Sequence, residues 1–318
     1  EFLDVRYGAA GKAALLDACD IDDILVLEMD ELAFDGVLTT SAITVATKTP
    51  KPSRRYNLTE AKLKDVVERG RSVELSAEAA PAYLPWTPFL PSRAERIVPL
   101  VEGRTARLGD YVRVRRGIAT GGNSFFCLTR DEVDEWGIES EYVVPVVVGA
   151  KDLPTAGVLD QSFRAERIEA GARAFLLFCH EPREALAGKN VLSYIEHGER
   201  LGLPERFNCR TRMPWYGVER VAPPDFFVTY MSRERARFVR NATGARCMTS
   251  LLNVWAKPGI SPEAQRPILE DPVNARLLRE FGRTYGGGLG KIEPGDLLKL
   301  PVRPLQGVSQ QVRLDLAS

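Results

Sequence analysis

The first 48 residues combine one helical pattern with two strand-like runs. AAGKAALLDA (9–18) predicts a short helix, whereas DILVLEM (23–29) and SAITVATK (41–48) are apolar runs typical of strands. A strand, an excursion and a second strand fit an antiparallel pair at the edge of a larger sheet. Because two strands and one helix cannot form a stable domain alone, we expect this segment to need a partner domain.

A break rich in proline and charge follows the second strand. TPKPSRRYN (49–57) predicts a domain boundary. After it, TEAKLKDVVERG (59–70) predicts a helix whose N-cap is Asn57 or Thr59 and whose end is Gly70. The boundary and the helix together indicate a linker rather than a continuation of the first segment.

The stretch AAPAYLPWTPFLPS (79–92) carries prolines among aromatic residues. It is expected to be extended and draped over other structure, because proline cannot donate to a helix or a central strand. We therefore divide the chain into a first segment (1–52), a linker with one helix and the proline-rich strip (53–96), and a main domain (97–318).

The main domain opens with a pattern that predicts a hairpin followed by a helix. LGDYVRVRRGIA (108–119) alternates as a strand does, a Thr-Gly-Gly-Asn turn follows, and SFFCL (124–128) is expected to return as a second strand. TRDEVDEWG (129–137) predicts a short helix with Thr129 as its N-cap, and Glu132 completes a capping box.

The rest of the main domain mixes both kinds of element without an internal repeat. Apolar runs predict strands over 142–149, 174–179 and 225–231, and helical patterns occupy 189–202 and 272–286. Strands and helices mixed in this way indicate an α+β fold.

Composition excludes several kinds of function. The chain has 318 residues, 44% of them hydrophobic, and no apolar run reaches the roughly 18 residues that a membrane span needs. The five cysteines show no C-x-x-C spacing, and the two histidines are His180 and His197, which leaves little material for a metal site or histidine-based catalysis. We expect a cytoplasmic protein with free thiols, no metal and no membrane contact. Because residue 1 is Glu and no signal peptide follows, we also expect a piece of a longer protein.

The net charge is zero, but the charges are unevenly distributed. Acidic residues far outnumber basic ones over the first 40 residues, whereas residues 104–116 hold five arginines against Asp110, and residues 203–247 hold nine arginines against four acids. Arginine suits phosphates and guanine edges because its planar fork donates two hydrogen bonds at once. The composition alone leaves open that these arginines pair with acids on a solvated surface.

The glycine-rich stretches do not match nucleotide-binding loops. GGGLGK (286–291) has Tyr285 where a P-loop needs glycine and Ile292 where it needs serine or threonine. ATGGN (119–123) lacks the spacing of a dinucleotide fingerprint. With no catalytic constellation evident either, the chemistry that remains is binding.

Arginines interleaved with aromatic residues favour nucleic acid as the partner. RFNCRTRMPWYGVE (206–219) and MSRERARFVRN (231–241) combine cations for phosphate, polar groups for base edges and rings for stacking. Trp215 and Tyr216 fit a hydrophobic core equally well. The residues predicted to contact DNA are Arg113, Arg115, Arg116, Asn123, Arg210, Arg212, Trp215 and Lys291.

The order of these pieces resembles the C-terminal part of N6-adenine DNA methyltransferases of the TaqI and Eco57I type, which occur in restriction–modification systems. The stretches that carry the resemblance to their target recognition domain are LGDYVRVRRGIATGGNSFF, YVVPVVVGAKDL, RMPWYGVE, SLLNVW and YGGGLGKIEPGDLLKLPV. Residues 2–48 resemble the end of the methyltransferase domain in the same family. The resemblance covers nearly the whole chain, although each motif is loose.

The resemblance implies an α+β DNA target recognition domain that follows the last helix and antiparallel strands of a Rossmann-like methyltransferase domain. It also implies that Phe34 stacks on an adenine flipped out of the duplex, which needs a flat apolar surface to replace its lost stacking. As a residue of the strand pair, Phe34 could equally belong to the core. The glycine motif for S-adenosylmethionine and the Pro-Pro-aromatic catalytic motif are absent from the chain.

These observations predict a sequence-specific module that binds double-stranded DNA and does not methylate it alone. Its partner would be the missing N-terminal methyltransferase domain, and S-adenosylmethionine would be the cofactor of the whole enzyme rather than of this chain. The alternative is a protein-interaction module that uses the basic loops and the proline-rich strip 79–92.

Overall fold

The structure, a computed structural model, describes residues 2–5, 7–28, 41–63, 67–155, 157–232, 236–281, 283–285 and 289–305. Its helices are α1 (Gly8–Ala18), α2 (Pro91–Val101), α3 (Asn123–Phe126), α4 (Arg130–Glu135), α5 (Gln161–Glu169), α6 (Asn190–Arg200), α7 (Phe207–Arg210), α8 (Pro262–Leu269), α9 (Pro272–Phe281) and α10 (Pro294–Leu298). Its strands are β1 (Cys19–Leu27), β2 (Ala42–Lys48), β3 (Arg55–Leu63), β4 (Val67–Ser76), β5 (Ala106–Arg107), β6 (Val112–Arg116), β7 (Cys127–Leu128), β8 (Val143–Val147), β9 (Val158–Leu159), β10 (Phe175–Leu177), β11 (Phe226–Thr229), β12 (Met231–Ser232), β13 (Phe238–Asn241), β14 (Arg246–Cys247), β15 (Leu251–Ala256), β16 (Arg283–Tyr285), β17 (Leu289–Lys291) and β18 (Pro301–Val302).

The first sheet has the strand order β2-β1-β3-β4 and confirms the predicted helix and strand pair. α1 covers the predicted helix, and β1 pairs antiparallel with β2. β3 lies parallel to β1 on its other side and antiparallel to β4. Ile24 and Leu58 of the two central strands are completely buried in the core of this sheet.

The helix predicted over 59–70 is wrong, because these residues lie in β3 and β4. Tyr56 and Leu58 alternate inward as in a strand, but a register shift between Thr59 and Ala61 interrupts the alternation. The resulting mixture of spacings resembles a helical period in the sequence. Gly70 does not stop a helix; it lies opposite Glu60, where an added Cβ would stand 3.0 Å from that residue's carbonyl oxygen.

The proline-rich strip 79–92 packs onto the first sheet through a fully buried tryptophan. The Trp86 indole donates to the Ala80 carbonyl at 3.0 Å, and its ring centroid lies 4.7 Å from that of Tyr56. The Tyr56 hydroxyl donates to the same Ala80 carbonyl at 3.2 Å. This burial weighs against the strip as a docking surface, since its largest side chain already belongs to the core.

The second half of the chain is built mainly on a five-stranded and a four-stranded sheet, and it confirms the α+β expectation. One sheet has the order β6-β15-β11-β13-β9, and the other has the order β14-β8-β10-β7. α8, α9 and α10 supply side chains to the core on one face of the five-stranded sheet, and α6 does so for the core of the four-stranded sheet. The described residues include no helix long and apolar enough to cross a membrane.

The hairpin predicted around the Thr-Gly-Gly-Asn turn is wrong. The predicted returning strand is mostly the short helix α3, and β7 pairs with β10 rather than with β6. Both phenylalanines of this helix, Phe125 and Phe126, are buried in the core of the four-stranded sheet. The pair therefore draws the chain away from β6, so the turn joins the two sheets instead of closing one ribbon.

Most other predicted elements of the main domain are present. β8, β10 and β11 lie within the predicted strands, and α6 lies within its predicted helix. At α4, Thr129 accepts from the Glu132 amide at 3.2 Å while Glu132 accepts from the Thr129 amide at 2.8 Å, which confirms the capping box. α9 ends at Phe281 rather than at residue 286.

Four buried thiols predict how stability depends on pH. Burial raises the pKa of Cys127 to about 12 and also raises the pKa of Cys179, Cys209 and Cys247. The unfolded chain releases these protons near pH 8.5 while the folded chain keeps them. The free energy of unfolding should therefore fall above this pH, by at most about 1.4 kcal/mol per pH unit for each thiol. We expect the Tm, measured with reductant present, to drop between pH 8.5 and 10, and Cys247→Ala to lessen the drop.

Lys12 acts in the opposite sense and supplies the control. Its ammonium is buried and donates to the carbonyls of Leu3 at 2.7 Å and Leu84 at 2.6 Å. Burial lowers the pKa of Lys12 to about 8, an effect that Asp4 opposes. Because the unfolded lysine holds its proton up to about pH 10.4, this residue favours the folded state increasingly as pH rises from 8. Lys12→Met should therefore steepen the loss of stability, and a Tm that rises over this range would contradict the thiol prediction.

Candidate nucleic-acid interface

β6 places three of the predicted arginines at the edge of the five-stranded sheet. Val112 and Val114 turn toward the core that α8, α9 and α10 complete, which leaves Arg113 and Arg115 on the opposite face. Arg116, the last residue of the strand, lies on the same face as the two valines. All three arginines are exposed, so the edge strand presents positive charge on both of its sides.

Gly117 ends β6 where the two larger sheets meet. Its amide donates to the Leu251 carbonyl at 3.0 Å, and the Ile118 amide donates to the Cys247 carbonyl at 2.8 Å. A Cβ at Gly117 would stand 2.6 Å from the Cys247 oxygen and still closer to the Met248 oxygen. Only glycine fits here without moving the backbone, because the segment 247–248 of the same chain passes directly beside it.

The loop after Gly117 is held by the second arginine-rich stretch. The Arg212 guanidinium donates to the Thr120 carbonyl at 2.8 Å and also to the Ala119 carbonyl. Arg206 donates to the Gly121 carbonyl at 3.2 Å. The loop 119–123 and the stretch 206–213, more than 80 residues apart in sequence, therefore form one junction. Within it, Arg212 holds the loop in place.

Gly121 and Gly122 are covered by side chains of the same stretch. Gly121 has a φ of +85°, which favours glycine, and an added Cβ would lie 2.9 Å from Asn208 Cβ. At Gly122 an added Cβ would lie 3.1 Å from the Arg206 guanidinium. Side chains of the protein thus occupy the space beside these two glycines, which do not form an open cradle for S-adenosylmethionine or a nucleotide.

Asn123 and Trp215 differ in how much they can offer a ligand. Asn123 is exposed at the start of α3, and its side-chain oxygen accepts from the Thr120 hydroxyl at 2.6 Å. Trp215 is half-buried and packs on Phe125 and Phe126, with ring centroids 5.9 and 6.2 Å away. Much of the Trp215 indole therefore belongs to the core beneath the junction, and only part of the ring is open to a ligand.

Two exposed apolar side chains flank Arg210 at this junction, and the sequence reasoning missed both. Phe207 is 70% exposed and Met213 is 99% exposed. The Arg210 guanidinium lies 5.4 Å from the Phe207 ring centroid. The signal was present in RFNCRTRM, where apolar residues alternate with arginines, but whether such residues face the core or solvent depends on the tertiary fold.

A second cationic cluster surrounds Tyr230 on the other face of the sheet. Arg116 and Lys291 lie 4.4 and 5.4 Å from the centre of the Tyr230 ring. Lys291 forms an ion pair with Glu293 at 2.9 Å, and the Tyr230 hydroxyl donates to the same carboxylate at 2.9 Å. Hydrogen bonds with Glu293 and Tyr230 raise the pKa of Lys291, so this lysine carries its charge throughout the physiological range.

Glu293 and Glu219 partly neutralise the positive charge of Lys291 and Arg115. Burial would raise the pKa of Glu293, but hydrogen bonds from Lys291 and Tyr230 outweigh it and keep the pKa below its ordinary value. Arg115 pairs with Glu219 at 2.8 Å, and both side chains are about half exposed. An exposed pair of this kind contributes little to stability, so exchanging Glu219 for a phosphate has a small cost.

The predicted residues therefore fall into two neighbouring groups. The junction holds Asn123, Arg210, Arg212 and Trp215, and the edge strand with the Tyr230 cluster holds Arg113, Arg115, Arg116 and Lys291. Residues 113–123 run continuously from one group to the other. Phe34, predicted to stack on a flipped base, lies outside the described residues.

A comparison with protein families decides the relationship of the chain. The family described as "Type II methyltransferase M.Eco57I, C-terminal domain" matches residues 86–317, which include both groups. The chain belongs to this family. The resemblance found in the sequence is thereby confirmed: the chain corresponds to a C-terminal part of a methyltransferase of this type.

Curated relatives of the M.Eco57I C-terminal-domain family agree. The chain is 26% identical over 311 residues to type II methyltransferase M.AccI of Acinetobacter calcoaceticus, with 94% of the chain and 56% of that protein covered. It is also 26% identical over 311 residues to type II methyltransferase M.XamI of Xanthomonas campestris pv. amaranthicola, covering 97% and 56%. The chain thus spans about half the length of the curated relatives that it matches.

A solved structure shares the fold of this family member. The type IIL restriction–modification enzyme MmeI, determined in complex with DNA, is similar with a TM-score of 0.52 at 14% sequence identity. The match covers 94% of the chain and 37% of MmeI. At this identity the likeness concerns the fold alone.

Proposed function

We propose that this chain is the sequence-specific DNA recognition part of an adenine-N6 methyltransferase, or of an enzyme that combines methylation with restriction. The surface that would meet the duplex runs from the edge strand β6 through the loop 119–123 to the stretch 206–213. Its exposed arginines would contact phosphates or guanine edges. Family membership supports the methyltransferase part of the proposal, and the surface chemistry supports the DNA part.

The observation that carries the proposal is the junction itself. The guanidinium groups of Arg206 and Arg212 donate to the loop backbone and so join the loop to the stretch 206–213. Asn123 on the loop side, and Phe207 and Arg210 on the other side, remain exposed. Reading a base needs polar or apolar side chains held in a defined position, because a flexible contact loses discrimination. A rigid base of arginine–carbonyl hydrogen bonds under exposed cationic, amide and apolar side chains meets this need.

The finer parts of the proposal concern the whole enzyme. We propose that β1 and β2 end a Rossmann-like methyltransferase domain, which would bind S-adenosylmethionine, and that Phe34 faces the target adenine. This chain alone would then bind duplex DNA without methylating it, in the cytoplasm of a cell with a restriction–modification system. Transfer of a radiolabelled methyl group to duplex DNA by this chain with S-adenosylmethionine would contradict the last point.

The proposal is tested by the salt dependence of duplex binding. Each phosphate contact adds about 0.9 to the slope of log affinity against log salt concentration. Fluorescence anisotropy of a labelled duplex at several salt concentrations should give a slope of several units for this chain. Changing Arg115 and Arg116 together to alanine should reduce the slope by about 1.8 if each contacts one phosphate.

A matched variant separates charge from shape at the same surface. Phe207→Ser with Met213→Ser removes two exposed apolar side chains, so it should weaken binding and relax sequence preference. Because it removes no charge, it should leave the salt slope unchanged. A slope near zero for the unaltered chain would sink the proposal. A slope that the Arg115 and Arg116 changes leave intact would remove the edge strand from the interface.

A further inference from the structure

A groove rich in arginine lies between α2 and α9, and none of its lining residues is among those predicted to contact DNA. It has a volume of about 390 Å³ and is lined by Arg93, Arg96, Leu100, Arg276, Arg279 and Glu280. α2 supplies the first three of these residues, and α9 supplies the last three. Four guanidinium groups against one carboxylate give the lining a net charge of +3 (4 − 1), on a chain whose total charge is zero.

The α2 side of the groove is held in place by its own contacts. Arg93 is buried and donates to the Thr87 hydroxyl at 2.7 Å. Arg96 binds Glu280 through both arms of its fork, with Nε 3.0 Å from Oε1 and Nη2 3.1 Å from Oε2. The carboxylate in the lining of the groove is therefore engaged by Arg96.

The α9 side of the groove presents its arginines to solvent. Arg276 and Arg279 are exposed and three residues apart, so they lie on one face of the helix. In the part of the chain that the structure describes, no carboxylate lies within 4.0 Å of either guanidinium. Like charges at this spacing repel each other, and an anion between them would remove that repulsion.

We infer that this groove is a second phosphate-binding site, and that its occupant is the backbone of duplex DNA beyond the segment that the chain reads. The inference rests on the proposed function, which supplies the duplex. The lining contains no aromatic side chain and only Leu100 as an apolar surface, so it offers nothing for a base to stack on. It also lacks the buried aromatic and apolar centre of a protein–protein interface. Guanidinium forks bind phosphates and carboxylates bidentately, and the duplex of the proposed function supplies phosphates.

The inference is tested by duplex binding of Arg276→Ala with Arg279→Ala. On duplexes of about 30 base pairs, the slope of log affinity against log salt should fall by about 1.8. Affinity at 0.1 M salt should fall on the order of tenfold, equally for every DNA sequence, because phosphate contacts do not read bases. Arg276→Lys with Arg279→Lys keeps the charge and should restore most of the slope. Glu280→Gln releases Arg96 and should raise the slope by about 0.9.

A charge-matched control removes two arginines elsewhere. Arg130 is exposed and Arg266 is half-buried, and each forms an ion pair with the acid four residues further along the chain, so changing both to alanine should leave the slope nearly unaltered. If the groove variant also leaves the slope unaltered while the Arg115 and Arg116 variant lowers it, the groove inference is overturned and the proposed function stands. If the unaltered chain shows no slope, the proposed function fails and duplex DNA is overturned as the occupant.

Two further ligands identify the source of the anion. Calorimetry with tripolyphosphate tests for a free phosphate compound, and calorimetry with a poly-glutamate peptide tests for an acidic protein. Weak tripolyphosphate binding that disappears in the groove variant supports a phosphate site. Tripolyphosphate binding without any effect of the variant on duplex affinity would overturn the duplex as occupant. Tighter binding of poly-glutamate than of tripolyphosphate would overturn phosphate as the ligand.

Discussion

Arg212→Ala is expected to lower the free energy of unfolding by about 2–3 kcal/mol and to weaken duplex binding at the same time. The guanidinium donates to two carbonyls, those of Thr120 and Ala119, and its loss leaves neither with this charged partner. The loop would then keep its Arg206 contact but lose its double link to Arg212, so the exposed side chains on both stretches would be held less firmly. Urea denaturation and anisotropy with duplex DNA measure the two effects.

Arg210→Ala is the matched control, since it lies two residues away on the same stretch. Arg210 is exposed and stacks on Phe207, which is itself exposed. Its removal should change stability by no more than about 0.5 kcal/mol while still lowering duplex affinity. If Arg210→Ala destabilised the chain as much as Arg212→Ala did, the distinction between a positioning arginine and a DNA-contacting arginine would be wrong.

Gly117→Ala is expected to destabilise the chain by about 3 kcal/mol or more, because the added methyl meets backbone rather than a movable side chain. The carbonyl oxygens of Cys247 and Met248 occupy the space that the Cβ needs. Gly117 and Ile118 carry the chain from the five-stranded sheet to the neighbourhood of β14 in the four-stranded sheet. The substitution should therefore separate the two sheets and displace the loop 119–123, which thermal unfolding and duplex binding would both report.

Gly11→Ala gives the opposite result in the same chemical exchange. Gly11 is exposed in α1, and no atom lies within 4 Å of an added Cβ. Alanine in a helix interior is more stable than glycine by about 0.5–1 kcal/mol, so the Tm should rise. Equal effects of the two substitutions would show that the crowding around Gly117 does not control its stability contribution.

The local signals of the sequence were sufficient for many elements. A capping box involves residues three apart, so Thr129 and Glu132 predicted the start of α4 without knowledge of the rest. Apolar runs within single segments likewise predicted β1, β2 and β8. Where pairing changed the pattern, prediction failed: the register shift between Thr59 and Ala61 hid two strands behind a helical period.

The candidate surface could be anticipated in composition but not in arrangement. Arginine clusters around residues 113–116 and 206–212 are visible in the sequence. Which of those arginines hold backbone and which face solvent depends on partners that are 80 or more residues away, such as Thr120 for Arg212. The α2–α9 groove was missed for the same reason, because Arg93, Arg96, Arg276 and Arg279 form no cluster until the two helices pack.

By itself, the sequence determined the family, the α+β class and the abundance of arginine in residues 104–116 and 203–247. These properties depend on residue identity and on spacing within single elements, so they can be read along the chain. The tertiary structure alone decided the contacts of Gly117 and Arg212. Gly117 approaches the carbonyls of residues 247 and 248, and Arg212 donates to the carbonyls of a loop. Such roles are set by steric fit and hydrogen bonding between distant segments, which only exist once the chain has folded.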